Sequence, residues 1–249
     1  MTTRRLAATV QRVLLFAVIA VLPSTAVAEP IRYSVGVKTW AADWGALNAN
    51  GEFRSYVGAL FGPVAIARYR QVFVGATFFT GQLDFPFTQT VVNPPNITTT
   101  NTTIVAQRTD LDLTAGYYFL PTFGVIGGFK SVTFEFTIPP QPGSGQNSTR
   151  VEQTSSGPFV GLLGSYTLGR TRFALYGNAT YSFLQRELGG SGSASSSFGG
   201  PSGEIGLAYR FPKQPVTIAE AYKFQRFESE TGDSSDTFQG VIFSIAYTF

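Results

Sequence analysis

The stretch that decides the fold is Gly240–Phe249, GVIFSIAYTF, the last ten residues of a 249-residue chain. Val241, Phe243, Ile245, Tyr247 and Phe249 occupy every second position, and Gly240, Ile242, Ser244, Ala246 and Thr248 fill the places between. Side chains on a strand alternate between its two faces. An extended chain here therefore has one wholly apolar face, capped by two aromatics, and one small and mostly mild face. A strand of a soluble protein rarely ends on a Phe in this way.

Upstream, the same period recurs. Apolar-alternating segments of about ten residues are separated by alternately short and long polar connections, the periodicity of a transmembrane barrel, and no long stretch keeps a 3.6-residue helical pattern. The reading predicts strands near residues 31–41, 53–67, 71–84, 107–119, 123–137, 157–168, 171–186, 203–211 and 216–227, with a tenth at the C-terminus. Short turns are expected at Arg68–Arg70, Leu120–Thr122, Gly169-Arg170 and Pro212–Pro215. Longer connections are expected at 85–106, 138–156 and 189–201, around Asp43, Asn48, Asn50 and Gly51, and over Glu228, Glu230, Asp233 and Asp236. Pro63, which cannot donate to a ladder, is expected to mark a bulge. The expected fold is all-β: a single antiparallel up-and-down barrel of about ten strands, with eight as the alternative. Short periplasmic turns lie at one end and longer extracellular loops at the other.

The N-terminus sets the compartment. Arg4, Arg5 and Arg12 precede an apolar run of ten, Val13–Leu22, which Pro23 and Ser24 break before the small-x-small triplet Ala26-Val27-Ala28. A bilayer span needs about 20 apolar residues, so this is expected to be a secretory signal peptide (residues 1–28) cleaved from a barrel domain (29–249). The chain has 18 Lys+Arg and 15 Asp+Glu. Losing those three arginines brings the charge to neutral, so the basic balance implies no nucleic-acid partner. Charged residues make up only 13% of the chain, against about 25% in soluble domains. A barrel that turns an apolar face to lipid accounts for the deficit. There is no Cys and no His, which removes disulfides and thiolate chemistry.

The terminal strand, taken with the leader, resembles the small Gram-negative outer-membrane β-barrels of the broad OmpA/OmpW-like group. In that group the barrel-insertion machinery reads the final aromatic and alternating hydrophobics, here Val241, Phe243, Ile245, Tyr247 and Phe249. The resemblance implies a cell outer-membrane location, with lipid and lipopolysaccharide as surroundings. It implies no cofactor and leaves the oligomeric state open. Outer-membrane phospholipases, lipid-A deacylases and omptin-type proteases share the architecture but depend on a histidine that this chain lacks, so the chain reads as a non-enzyme.

Polar strand faces assigned to the lumen carry Arg32, Lys38, Arg108, Asp110, Asp112, Lys130, Arg172, Glu204 and Arg210. Pairing strands four and five around Pro121 sets Asp112 nearly opposite Lys130, within reach of a cross-strand ion pair. Ten strands lie closer to the filled eight-stranded size than to open porins of about 16 strands. The leading expectation is therefore a structural or surface-interaction barrel whose lumen is largely plugged by charged and small polar side chains. A small passive diffusion channel for ions or solutes is the second reading, and a soluble exported lipocalin-like binder the third. Two strands do not assign to faces: Lys130 shares parity with Val132, Phe134 and Phe136, and Lys223 opposes both Glu220 and Arg226. Either a bulge switches register there or a charge sits near an interface. The acidic run before the last strand reads as a solvated loop, with a divalent-cation site bridging lipopolysaccharide as its sharper alternative.

Overall fold

Alternation along ten strands produces a barrel that is closed by its first and last strands. A computed structural model describes residues 30–47, 53–93, 96–138, 140, 147–189, 195–232 and 234–249. The strands are β1 (Arg32–Leu47), β2 (Phe53–Tyr69), β3 (Val72–Asn93), β4 (Asn96–Leu120), β5 (Phe123–Ile138), β6 (Thr149–Thr167), β7 (Phe173–Leu188), β8 (Ser195–Arg210), β9 (Val216–Ser229) and β10 (Ser235–Thr248). Each pairs antiparallel with its sequence neighbours, and β1 pairs with β10. Closure leaves no sheet edge with unpaired backbone groups, the condition a sheet must meet to sit in hydrocarbon. The expected signal peptide and the loop positions Asn48, Asn50, Gly51 and Asp233 lie outside the described residues.

The terminal stretch forms the seam. Ser34 stands opposite Thr248 and Val37 opposite Ile245, and the Ser34 and Thr248 hydroxyls hydrogen-bond at 2.9 Å. Gly240 is required at this seam. Its φ is +154°, and a Cβ there would collide with the carbonyl oxygen of Ala41.

Burial is inverted relative to a soluble protein. Val57, Phe61 and Ile205 face outward and are 73%, 61% and 60% exposed, while Arg108 and Lys130 face inward at 0% and 4%. At the turn end, exposed Tyr33, Tyr69, Tyr117, Phe119, Phe173 and Tyr247 form an outward aromatic girdle, as at a membrane–water boundary. Glu220 is an exception on this face, outward and exposed between its strand neighbours Leu207 and Phe243.

Several expected boundaries move. β3 and β4 run on as a paired hairpin to Asn93 and Asn96, where a long connection was expected; β-branched Thr, Val and Ile suit extended pairing even in a polar segment. β1, β6 and β8 likewise extend at the loop end. Pro63 makes no bulge: Phe61 opposite Thr80 and Val64 opposite Thr77 share one register, although pairing is interrupted between them. The register shift falls instead between Tyr118 and Leu120, at the β4–β5 turn. In the acidic run, Glu228 belongs to β9 and Asp236 is buried on β10.

The two ambiguous strands assign without a bulge. β5 holds one register with β6 throughout, so Lys130, Val132 and Phe134 are all inward and buried, and Glu135 is outward. In β9, Lys223, Gln225 and Phe227 are buried inward while Arg226 and Glu228 are exposed outward. The polarity of the two faces inverts toward the loop end. Beyond the apolar belt the outer face meets water and takes charge, as in the Arg150–Glu135 and Arg226–Glu228 pairs, and the inner face packs as a core.

Candidate functional site: the barrel lumen

Inward positions divide the lumen into two unlike halves. Toward the turn end many are small, Gly36, Gly75, Gly116, Gly161, Gly206 and Ala219, and larger ones such as Phe73, Phe159 and Leu163 stand among them. Toward the loop end they are large, and Trp40, Trp44, Leu60, Phe79, Phe134 and Phe238 are buried in one hydrophobic cluster. Trp44 stacks on Phe134 and Phe238 at ring distances of 4.9 and 5.3 Å, and Phe134 lies 5.8 Å from Phe238. Stacked pairs of this kind contribute about 0.5–1.5 kcal/mol beyond their buried area.

Where the halves meet, charged side chains cross the lumen. Arg108 grips Asp110, with Nε donating to Oδ1 at 2.7 Å and Nη2 to Oδ2 at 2.6 Å, and Nη2 also donates to Gln225 Oε1 at 3.0 Å. Its guanidinium lies 3.9 Å from the centre of the Phe238 ring and 5.1 Å from that of Trp40. Bidentate pairing together with aromatic faces makes complete burial of an arginine tolerable. Lys130 pairs with Asp112, its register partner. Lys38 reaches Glu204 at 3.6 Å, and the Tyr176 hydroxyl lies against Glu204. Nearer the loop end, Arg186 pairs with Asp236, which also accepts from Trp44 Nε1 at 3.1 Å.

Of the residues that sequence placed in the lumen, Lys38, Arg108, Asp110, Asp112, Lys130 and Glu204 meet in this layer. Arg32, Arg172 and Arg210 do not: they are exposed at the turn-end rim. They share parity with the inward face, but the barrel wall ends at their height. Sequence reasoning missed Lys223, Gln225, Arg186 and Asp236. The first two were hidden by mixed parity in β9, and Asp236 was read as loop. Below the layer lies a cavity of about 270 Å³, lined by Lys38, Asp112, Lys130, Glu204, Lys223 and apolar walls that include Phe73 and Phe159. Among the described residues no group of three or more Asp and Glu side chains could hold a metal ion.

No family model matches the chain, and no curated protein matches it. Among solved structures it is similar to the outer-membrane protease OmpT from Escherichia coli, at 14% identity and a TM-score of 0.52, over 91% of this chain and 99% of that one. The translocator domain of the autotransporter NalP from Neisseria meningitidis matches at 12% identity and TM-score 0.47, over 98% and 96%. Ail, the attachment invasion locus protein of Yersinia pestis, matches at 12% and 0.40, over 87% and 99%. The likeness is one of fold: a closed ten-stranded antiparallel barrel of the outer-membrane type.

Proposed function

We propose that this chain is an exported, integral outer-membrane barrel of a Gram-negative cell, with a structural or surface-interaction role and a lumen closed by its own side chains. The observation that carries the reading is the layered interior. Four ion pairs, through Asp110, Asp112, Glu204 and Asp236, are backed by the stacked rings of Trp44, Phe134 and Phe238. The closure differs in composition from the charged and small polar plug that sequence suggested, because the larger share of it is aromatic.

In this reading residues 1–28 direct export and are removed. Val241, Phe243, Ile245, Tyr247 and Phe249 address the insertion machinery, and the outward face contacts lipid and, at the loop end, lipopolysaccharide. The short turns face the periplasm. OmpT is a protease, but its chemistry does not carry over on fold alone, and this chain has no histidine or cysteine to serve as base or nucleophile. With the interior closed, the surfaces left for recognition are the hairpin ends.

Single-channel recording tests this. The mature chain is refolded in detergent, shown to be folded by heat-modifiable gel migration, and added to a planar bilayer. Silence from folded protein is expected. Discrete, reproducible conductance steps would replace the reading with that of a passive diffusion channel.

A further inference from the structure

We propose that the cavity at the turn end of the lumen is a binding site for a small organic carboxylate, with Lys223 holding the carboxylate group. The inference rests on the reading of the lumen as closed at the loop end, which makes this cavity a blind pocket.

The first observation is a charge imbalance. Among the described side chains, five cations are buried or half-buried on the inward face: Lys38, Arg108, Lys130, Arg186 and Lys223. Four carboxylates face them, and each already holds another cation: Glu204 holds Lys38, Asp110 Arg108, Asp112 Lys130 and Asp236 Arg186. Lys223 is left over, 8% exposed, with no carboxylate within ion-pair distance among the described residues. Its ammonium rests 4.8 Å from the Trp40 ring centre and 5.3 Å from that of Phe79. These faces hold it in position, and the carboxylates of Asp112, Glu204 and Asp110 act on it only from beyond ion-pair distance. A bound carboxylate would give it the direct anionic partner it lacks.

The second observation is independent of charge. Gln225 is fully buried, lines the same cavity, and commits its Oε1 to Arg108, while its Nε2 has no acceptor. An amide nitrogen can only donate. A buried donor left unmade costs about 1–3 kcal/mol, and what Gln225 Nε2 lacks is an acceptor on the cavity side.

The walls and the entrance agree with such a ligand. Ile66, Phe73, Phe159 and Leu163 line the cavity beside the polar groups, so an apolar body fits behind a carboxylate head. A volume near 270 Å³ holds roughly nine waters at about 30 Å³ each, or one compact small molecule. At the opening, Arg32, Arg172 and Arg210 are joined by exposed Arg68, Arg70, Arg170 and Lys213. No Asp or Glu side chain lies at that end among the described residues. A mouth in which one sign of charge predominates concentrates counter-charged solutes.

The test uses the two tryptophans of the chain, Trp40 and Trp44, as reporters. The refolded barrel is titrated with sodium hexanoate at constant ionic strength and its tryptophan fluorescence is followed. A saturable change is expected, weakened about tenfold or more in Lys223→Met, as befits the loss of a charge-assisted hydrogen bond. Lys223→Arg and the rim variant Lys213→Gln should stay within about threefold of wild type. Hexanol and sodium chloride at matched concentration should produce no saturable change. An unresponsive wild type, a Lys223→Met as responsive as wild type, or equal saturation by chloride would overturn the proposal. Should Lys223→Met fail to show folded migration, Gln225→Met takes its place, and unchanged affinity there overturns it equally. Conductance keeps the two readings apart. A silent barrel without a hexanoate response fails only this proposal, and a conducting one fails the closed lumen itself.

Discussion

Trp44 on the first strand donates its indole Nε1 to Asp236 on the last at 3.1 Å, while its ring stacks 5.3 Å from Phe238 two residues further on. One side chain thus ties the seam of the barrel and fills its middle. Asp236 also holds Arg186 of β7, so three strands meet on a single carboxylate.

Removing that carboxylate strands a cation whose side chain is only 12% exposed. Asp236→Leu should lower unfolding stability by about 3–5 kcal/mol, the usual result of breaking one side of a buried pair. The Arg186→Leu/Asp236→Leu double variant should recover much of the loss. Denaturant midpoints in detergent measure both. A single variant as stable as wild type would show that Asp236 reaches water.

Opening the closure should convert a silent barrel into a conducting one. Phe238→Ala combined with Phe134→Ala deletes the two rings stacked on Trp44, each at a cost of about 3–5 kcal/mol. Bilayer recordings of the double variant should show steps that wild type lacks. Continued silence from folded double variant would mean that the ion-pair layer alone closes the lumen.

The Asp112–Lys130 pair is predicted to be interchangeable. Asp112→Lys and Lys130→Asp alone should each destabilise the barrel by setting like charges opposite one another. Together they should restore the pair, with a coupling of about 0.5–3 kcal/mol in a double-mutant cycle. Additive losses would show that the two side chains do not interact.

Deleting Phe249 should leave the translated chain unable to insert, seen as loss of the heat-modifiable folded band from outer-membrane fractions while refolding into detergent persists. Normal assembly without Phe249 would remove the role assigned to the terminal aromatic.

Legibility varied with how local the governing interaction is. β4 alternates Arg108, Asp110, Asp112 and Thr114 against Thr109, Leu111 and Leu113, and one turn at Pro121 sets its register with β5. Lys130 opposite Asp112 was therefore visible in advance. β5 and β9 were not, because their faces exchange polarity where the wall leaves the apolar belt. Val132, Phe134 and Phe136 facing inward against Ser131, Thr133 and Glu135 look like a register error until the height of each residue is known. Arg32, Arg172 and Arg210 were misplaced for the same reason: parity names a face, but not whether the wall extends far enough to enclose it.

The amino-acid sequence alone pointed to about ten strands with eight as the alternative, and to the outward apolar face and the order of the hairpins, because side-chain alternation and turn chemistry act over a few residues. The tertiary structure alone decided what shares the lumen. Arg108 meets Gln225 across 117 positions of sequence, and Glu204, directly opposite Lys223 in the ladder, forms its ion pair with Lys38 from another strand instead. Such partners are set by barrel closure and by the height of each side chain, quantities that no local pattern carries.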